Sequence, residues 1–204
     1  MPVSPEASHD ELAPHQVMRR NYGLFARRLG LRVGIFGFLL ALPLILGALG
    51  APSAFWSAAP AAIGVIGLGF TFVNFKGHPF RLRKCGKVLD AYPLEPGTVT
   101  RIGKPTQTHN QSFYTLDVGR GEGAESCRMR AVEPQGLNRW PKGADDGVCI
   151  AGDLAFGGVI VVPGSNALLL MRPEPWDEAA PKRNAAAPDR RERAKKAGIE
   201  LIPF

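Results

Sequence analysis

The chain has 204 residues, a net charge of +7 and 45% hydrophobic residues, and its mean hydropathy of -0.04 is that of one modest soluble domain. The average conceals a division: charged residues make up 21% of the chain, yet not one Asp, Glu, Lys or Arg occurs from Val33 through Phe75. That excludes an ordinary soluble protein, and what remains is too short for a large enzyme.

Residues 1–32 are expected to form a cytoplasmic N-terminal segment with an interfacial helix. Met18, Tyr22, Phe25 and Leu29 fall within a narrow arc of a helical wheel, and Arg19, Arg20, Arg27 and Arg28 occupy the rest. Such a helix lies on the inner leaflet with its arginines among anionic headgroups, each worth about 1 kcal/mol. The same arginines are what fixes topology, so both readings stand at this point. Glu6, Asp10 and Glu11 ahead of the apolar run argue against a cleaved signal peptide.

Residues 33–75 are expected to be a transmembrane helical hairpin. At about 1.5 Å per residue a continuous helix of that length would reach twice the ~30 Å hydrocarbon core. The fold-back falls at Gly50, Ala51, Pro52 and Ser53, between spans 33–49 and 54–74. Pro43 is expected to kink the first span, with Ser57 or Thr71 covering the freed carbonyl. Arg19, Arg20, Arg27, Arg28 and Arg32 precede the hairpin, Lys76, Arg81, Arg83, Lys84 and Lys87 follow it, and the connecting loop is uncharged. The positive-inside rule then places both termini in the cytoplasm of a multi-pass plasma-membrane protein, with these ten side chains as candidate lipid contacts. Small residues recur at helical spacing as Gly30 and Gly34, Gly37 and Ala41, then Ala54, Ala58 and Ala62. They are candidate packing positions within the hairpin or against a second copy. No ionisable side chain lies in either span, which argues against a transporter or channel acting alone.

Residues 76–92 read as a juxtamembrane helix opened by Pro79, with Leu82, Cys85, Val88, Leu89 and Tyr92 on the buried side and Pro93 as the stop. From 93 to 173 the period changes to two. Tyr114, Leu116 and Val118 alternate with Thr115 and Asp117, and Cys127, Met129 and Ala131 with Arg128 and Arg130. Gly119, Gly121 and Gly123 suit a hairpin loop. The unbroken apolar run 159–162 reads as a strand covered on both faces, paired with 167–171 through Pro163, Gly164, Ser165 and Asn166. With 97–103 and 147–151 the strands number about six. A closed barrel is the expected arrangement, since a flat sheet of this size leaves open edges. The expected fold class is an α+β membrane protein: a two-helix transmembrane hairpin, a small cytoplasmic β-barrel of the OB/SH3-like kind, and a flexible basic tail over 174–204.

Ala151, Gly152, Asp153, Leu154, Ala155, Phe156, Gly157, Gly158 and Val159, followed by Pro163 and Gly164, resemble the AGDPxFGGV...PG segment of small two-span membrane proteins of actinobacteria. The helix-then-strand entry from Val88 to Thr100 is similar to theirs as well. Leu154 departs from the proline usual at that position, which puts the turn after Asp153 in doubt. The resemblance implies architecture and location, and no activity. A looser architectural likeness, helices followed by a small barrel, holds with NfeD-like proteins, which resemble partners of membrane proteases and scaffolds.

Known catalytic signatures are missing: the chain contains no GxGxxG, Walker lysine motif, HExxH or GxSxG. Cys85, Cys127 and Cys149 have no CxxC spacing and read as reduced thiols, and His9, His15, His78 and His109 have no metal-ligand spacing. No cofactor and no metal are expected, and Asp153 reads as a turn residue rather than a catalytic carboxylate. The pI of 9.7 raises nucleic acid as a partner, but the aromatic platform is thin and the nearest basic cluster adjoins the membrane. Pro175, Pro181 and Pro188 with Arg190, Arg191, Arg193, Lys195 and Lys196 suggest a loose linker with a short helix over 189–197, capped by Asp189 and stopped by Gly198. Ile199, Leu201, Ile202 and Phe204 are either a docking edge or a terminal remnant. Two functions follow: a non-enzymatic membrane-anchored interaction or scaffold protein with a protein partner or a second copy, or an accessory subunit of a membrane transport or export complex.

Overall fold

The computed structural model describes residues 13–50, 58–108, 111–120, 126–137 and 139–200. The expected turn at 51–53, Ala54, Gly121, Gly123 and the last four residues lie outside them. Two compact units are present, one of residues 22–79 and one of residues 1–21 with 80–204.

The first unit holds α1 (Pro14–Ala48) from residue 22 on and all of α2 (Ala58–Phe75), and both helices are long and apolar enough to cross a membrane. α1 runs unbroken from Pro14 through Pro43, so the separate interfacial helix expected over 14–32 is instead the first part of one long helix. The two helices meet through Gly64, Gly67 and Thr71, the buried residues of α2. A Cβ on Gly64 would lie 2.7 Å from the Leu40 amide nitrogen and 2.8 Å from the Phe36 carbonyl oxygen, and one on Gly67 would enter the Phe36 ring. Thr71 donates its hydroxyl to the Gly67 carbonyl at 2.7 Å. At the far end of α2, Phe75 packs against Phe25 and His78 and carries Arg32 over its ring.

The second unit is built on a closed barrel in the order β1 (Glu95–Thr108), β2 (Gln111–Arg120), β3 (Cys127–Val132), β6 (Ala167–Pro173), β5 (Gly157–Val162), β4 (Val148–Asp153), with every neighbouring pair antiparallel. Period-two alternation sends Tyr114, Leu116, Val118, Met129, Ile150, Ile160, Val162, Leu169 and Met171 into one core. Closure rests on β1 meeting β4 through Gly97 and Val148, where a side chain on Gly97 would strike Ile150. Every residue of β4 and β5 is buried, including those facing away from the core such as Val159 and Val161. Their outer faces therefore have a cover. The buried faces of this same unit that can supply it are Leu82, Cys85 and Val88 of α3 (His78–Ala91), Val17 of α1, and Ala194, Ala197 and Ile199. The five residues that the helical spacing over 76–92 placed on the buried side are indeed buried.

Two features stand out here. The buried residues of α1 are Val17 and Asn21, while of the stripe expected in the lipid interface Tyr22 is 40% exposed and Met18, Phe25 and Leu29 are half-buried. Asn21 donates to the carbonyls of Val17 and Asn166, both at 2.8 Å, and accepts from the Gln135 amide. The start of α1 is thus pinned to the β5–β6 turn by an amide whose sequence position alone gives no hint of burial. Likewise, residues 180–199 are not a flexible tail. They form α4 (Ala180–Asn184) and α5 (Pro188–Ala197), which ends on Gly198 in the left-handed region at φ 73°. Gly198 is the stop the sequence indicated, whereas the N-cap is Ala187 and Asp189 lies inside the first turn.

The glycines of the 152–158 segment have a steric reason. Gly157 has φ +116°, and a Cβ there would lie 2.5 Å from the Met171 carbonyl oxygen of the neighbouring strand. Gly152 at φ +138° is as tightly held, 2.5 Å from the Gly157 oxygen. Gly157→Ala is expected to lower stability by about 2 kcal/mol or more, because left-handed strain and a backbone clash add. Gly164→Ala, with φ +75° and open space around it, should cost about 1 kcal/mol. Thermal melts of the two variants in detergent, followed by near-ultraviolet circular dichroism, check the order.

Candidate functional site

A cleft of about 710 Å³ lies between β1, β2, β4, the residues that follow α3, and the α4–α5 segment. Its floor is set by Asp153, the last residue of β4. Asp153 closes the β4–β5 turn by accepting from the Ala155 amide at 2.9 Å, while the Phe156 amide bonds its carbonyl at 2.9 Å. The remaining capacity of the carboxylate goes to Arg190, which grips it in a two-pronged pair at 2.8 and 3.0 Å. That hydrogen bond, followed by the Asp153 charge, raises the Arg190 pKa above its ordinary value. Arg120, at the end of β2, pairs with Glu95 at 3.3 Å and donates to the Gly152 carbonyl.

Tyr92 stands beside these groups. It is 8% exposed, Arg193 lies over its ring at 5.7 Å, and its buried hydroxyl has no hydrogen-bond partner. Burial, reinforced by the Asp153 charge, pushes its pKa up, and so the phenol is held neutral as a donor. Lys182 and the apolar Pro93, Leu154 and Ala185 complete the wall. The lining thus combines the cations Arg120, Lys182, Arg190 and Arg193 with the carboxylates Glu95 and Asp153, the Tyr92 phenol, Ser126, Cys127 and small apolar surfaces.

The cysteines differ sharply. Cys85 and Cys149 are buried; burial pushes the Cys85 thiol up to about 12, partly offset by Lys84 beside it, and raises that of Cys149 as well. Cys127 is half-buried and lines the cleft. No group of three or more His, Cys, Asp or Glu side chains able to hold a metal ion occurs among the described residues.

Of the residues singled out in the sequence, Arg19, Arg20, Arg27, Arg32, Lys76, Arg83 and Lys87 are exposed, and Arg28, Arg81 and Lys84 are half-buried. Burial lowers the pKa of Arg81 and Lys84. Gly30, Gly34 and Gly37 have nothing within 4 Å of where a Cβ would stand. Ala41 is half-buried, Ala58 and Ala62 are exposed, and the contact within the helix pair falls on Gly64 and Gly67 instead. Sequence reasoning missed Gly64, Gly67, Asn21, Arg120, Arg190 and Arg193. The i, i+3, i+7 spacing of Gly64, Gly67 and Thr71 was a readable signal; the pairing of Asp153 with a residue 37 positions away was not.

Comparison with protein-family models, with curated proteins and with solved structures found no match to this chain.

In the folded protein at about pH 8, iodoacetamide is expected to modify Cys127 and to leave Cys85 and Cys149 untouched until denaturant is added. Peptide mass spectrometry reads this directly. Rapid labelling of Cys85 would mean that α3 does not pack as described.

Proposed function

We propose that the protein is a non-enzymatic, membrane-anchored interaction or scaffold protein, with α1 and α2 as the anchor and the barrel as the binding module. The observation that carries the reading is the outward face of the helix pair. Leu44 is 78% exposed, Ile66 71% and Phe72 72%, within helices that have no charge between Val33 and Phe75. In water such a continuous apolar surface exceeds what monomeric proteins carry, and hydrocarbon is the solvent that accommodates it. A core helix of a soluble protein would have this surface covered.

Arginines before Val33 and the basic run after Phe75 support an N-in, C-in arrangement in the plasma membrane, with the barrel in the cytoplasm. Anionic lipid is the expected neighbour of the exposed Arg27, Arg32 and Lys76. The likeness of residues 151–164 to the actinobacterial segment supports the same architecture. Topology is tested in a Cys127→Ser background, so that the native thiol does not report. Ser53→Cys should be labelled by an impermeant maleimide on intact cells, and Ala180→Cys only after permeabilisation. External labelling at position 180 overturns the arrangement.

The second reading, an accessory subunit of a transport or export complex, is favoured by the open face at Gly30, Gly34 and Gly37. Small residues with empty space above them let another helix backbone approach closely. If that face is used, Gly34→Leu should remove transporter spans from a detergent pull-down while leaving α1 and α2 packed. Gly64→Leu, which drives a side chain into the Phe36 and Leu40 backbone, should separate α1 from α2, read by loss of a disulfide engineered between them.

A further inference from the structure

The C-terminal segment forms one wall of the cleft, and its two fastenings to the barrel are unequal. The first extends the barrel itself. The Glu174 amide donates to the Arg128 carbonyl at 3.0 Å, one step beyond the β3–β6 ladder, while the Glu174 carboxylate pairs with Arg130 at 3.1 Å and accepts from the Thr115 hydroxyl at 3.2 Å. The second is the Arg190 pair with Asp153, in which the Asp153 side chain is 9% exposed and that of Arg190 52%. Between the two the chain folds on itself: the Arg183 guanidinium donates to the Trp176 carbonyl at 2.7 Å and lies 3.7 Å over the Trp176 ring. From 176 to 193 the one buried residue is Ala186, and beyond it the buried side chains are Ala194, Ala197 and Ile199. Three of these four offer a single methyl group, and every charged residue of α5 is exposed.

We propose that residues 176–199 are a lid on the barrel cleft, hinged where Glu174 is held and latched by Arg190 on Asp153, and that the lid opens as a unit while the barrel stays folded. A segment held by one half-exposed ion pair and a few methyl groups opens at lower cost than strands buried at every position, as β4 and β5 are. The closed state also carries a penalty of its own, because Tyr92 is 8% exposed under Arg193 and its buried hydroxyl has no acceptor. Opening lifts Arg193 from the ring and lets water reach that hydroxyl. The β4–β5 turn survives the release, since the Asp153 carboxylate keeps its bond from the Ala155 amide. What the lid uncovers is the Asp153 carboxylate beside Tyr92 and Leu154, a surface that the closed chain reserves for its own arginine. All of these residues belong to the barrel unit, so the lid does not depend on the membrane anchor.

Hydrogen exchange of the full chain in phosphatidylcholine nanodiscs, read by peptide mass spectrometry, tests the lid. Amides of 189–199 should exchange well ahead of those of 148–153 and 157–162. Arg190→Gln should speed exchange over 189–199 about tenfold, the loss of a charge-assisted pair, and leave both strands unchanged. Arg190→Lys, which keeps the charge without the planar fork, should fall between the native chain and Arg190→Gln. Lys195→Gln removes the same charge from an exposed side chain of the same helix and should alter exchange by less than about twofold. High salt should speed 189–199 in the native chain and not in Arg190→Gln, because it screens the latch. Cys127 on the cleft wall reports the gate: its capture by a maleimide carrying a bulky polymer should accelerate in Arg190→Gln by the same factor as exchange. Equal exchange of 189–199 and the two strands in the native chain would mean a single cooperative unit and overturns the proposal. So does an Arg190→Gln or Arg190→Lys chain in which the strands accelerate together with 189–199, in which 189–199 is unchanged, or in which Cys127 capture keeps its native rate.

Discussion

The constraint on which the barrel unit depends is that half of its wall is apolar on both faces. β4 and β5 are buried at every position and β6 at most of its length, so a bare barrel of these strands would expose Val159, Val161, Leu168 and Leu170 to water. Each such side chain is worth about 1.5–3 kcal/mol when covered. The cover has to come from elsewhere in the chain, and the buried helix faces available lie at its two ends and in α3. β1 and β2 need none: the outward positions of β2 are half-exposed and alternate with the core over most of the strand, and β1 is exposed along most of its length, with Val99 its buried residue. The molecule therefore has a wet side and a helix-covered side, and the division follows from where the β-branched and leucine runs fall.

Apolar cover alone is permissive about position, and here polar contacts remove the freedom. Asn21 reads the β5–β6 turn through the Asn166 carbonyl and the following loop through Gln135. Arg190 reads the β4–β5 turn through Asp153. Both turns lie at the ends of the doubly buried strands. Each polar group would be costly to bury unpaired, so a misplaced helix loses more than packing. Asp153, read from the sequence as a turn residue, is one, and it is also the point at which the C-terminal helices are fixed.

How much of this was legible follows from which interactions are local. Strand positions, the barrel closure, the buried side of α3 and the Gly198 stop rest on period and turn chemistry within a few residues, and the sequence displays them. The status of 14–21 and of 180–199 depends on partners more than a hundred or some tens of residues away, respectively. Prolines and a run of cations made 174–204 look like a solvated linker, because the composition of a short helix does not reveal that its alanines are covered. The cleft was invisible for the same reason: Tyr92, Arg120 and Arg193 come from three separate segments, and nothing in their local sequence distinguishes them from other surface aromatics and arginines. Gly64 and Gly67 are a different kind of miss, since their spacing was on view and the neighbouring Gly30 and Gly34 offered the same pattern; only the path of α1 tells which row is used.

α5 shows how one short helix does two incompatible-looking tasks. Ala194 and Ala197 are fully buried, and their small side chains bring the helix axis close to the unit it covers. Arg190 lies four residues before Ala194, one turn earlier on the same face, so the close approach carries its guanidinium onto Asp153 rather than into solvent. Arg193 precedes Ala194 by one position and is therefore rotated by about 100° from that face. This offset places it at the edge, over Tyr92, and not in the seam. Larger residues at 194 and 197 would lift the helix and break the Arg190 pair before they disturbed any strand. The alanines thus set the distance, Arg190 sets the register, and Arg193 is left at the edge of the seam against the Tyr92 ring.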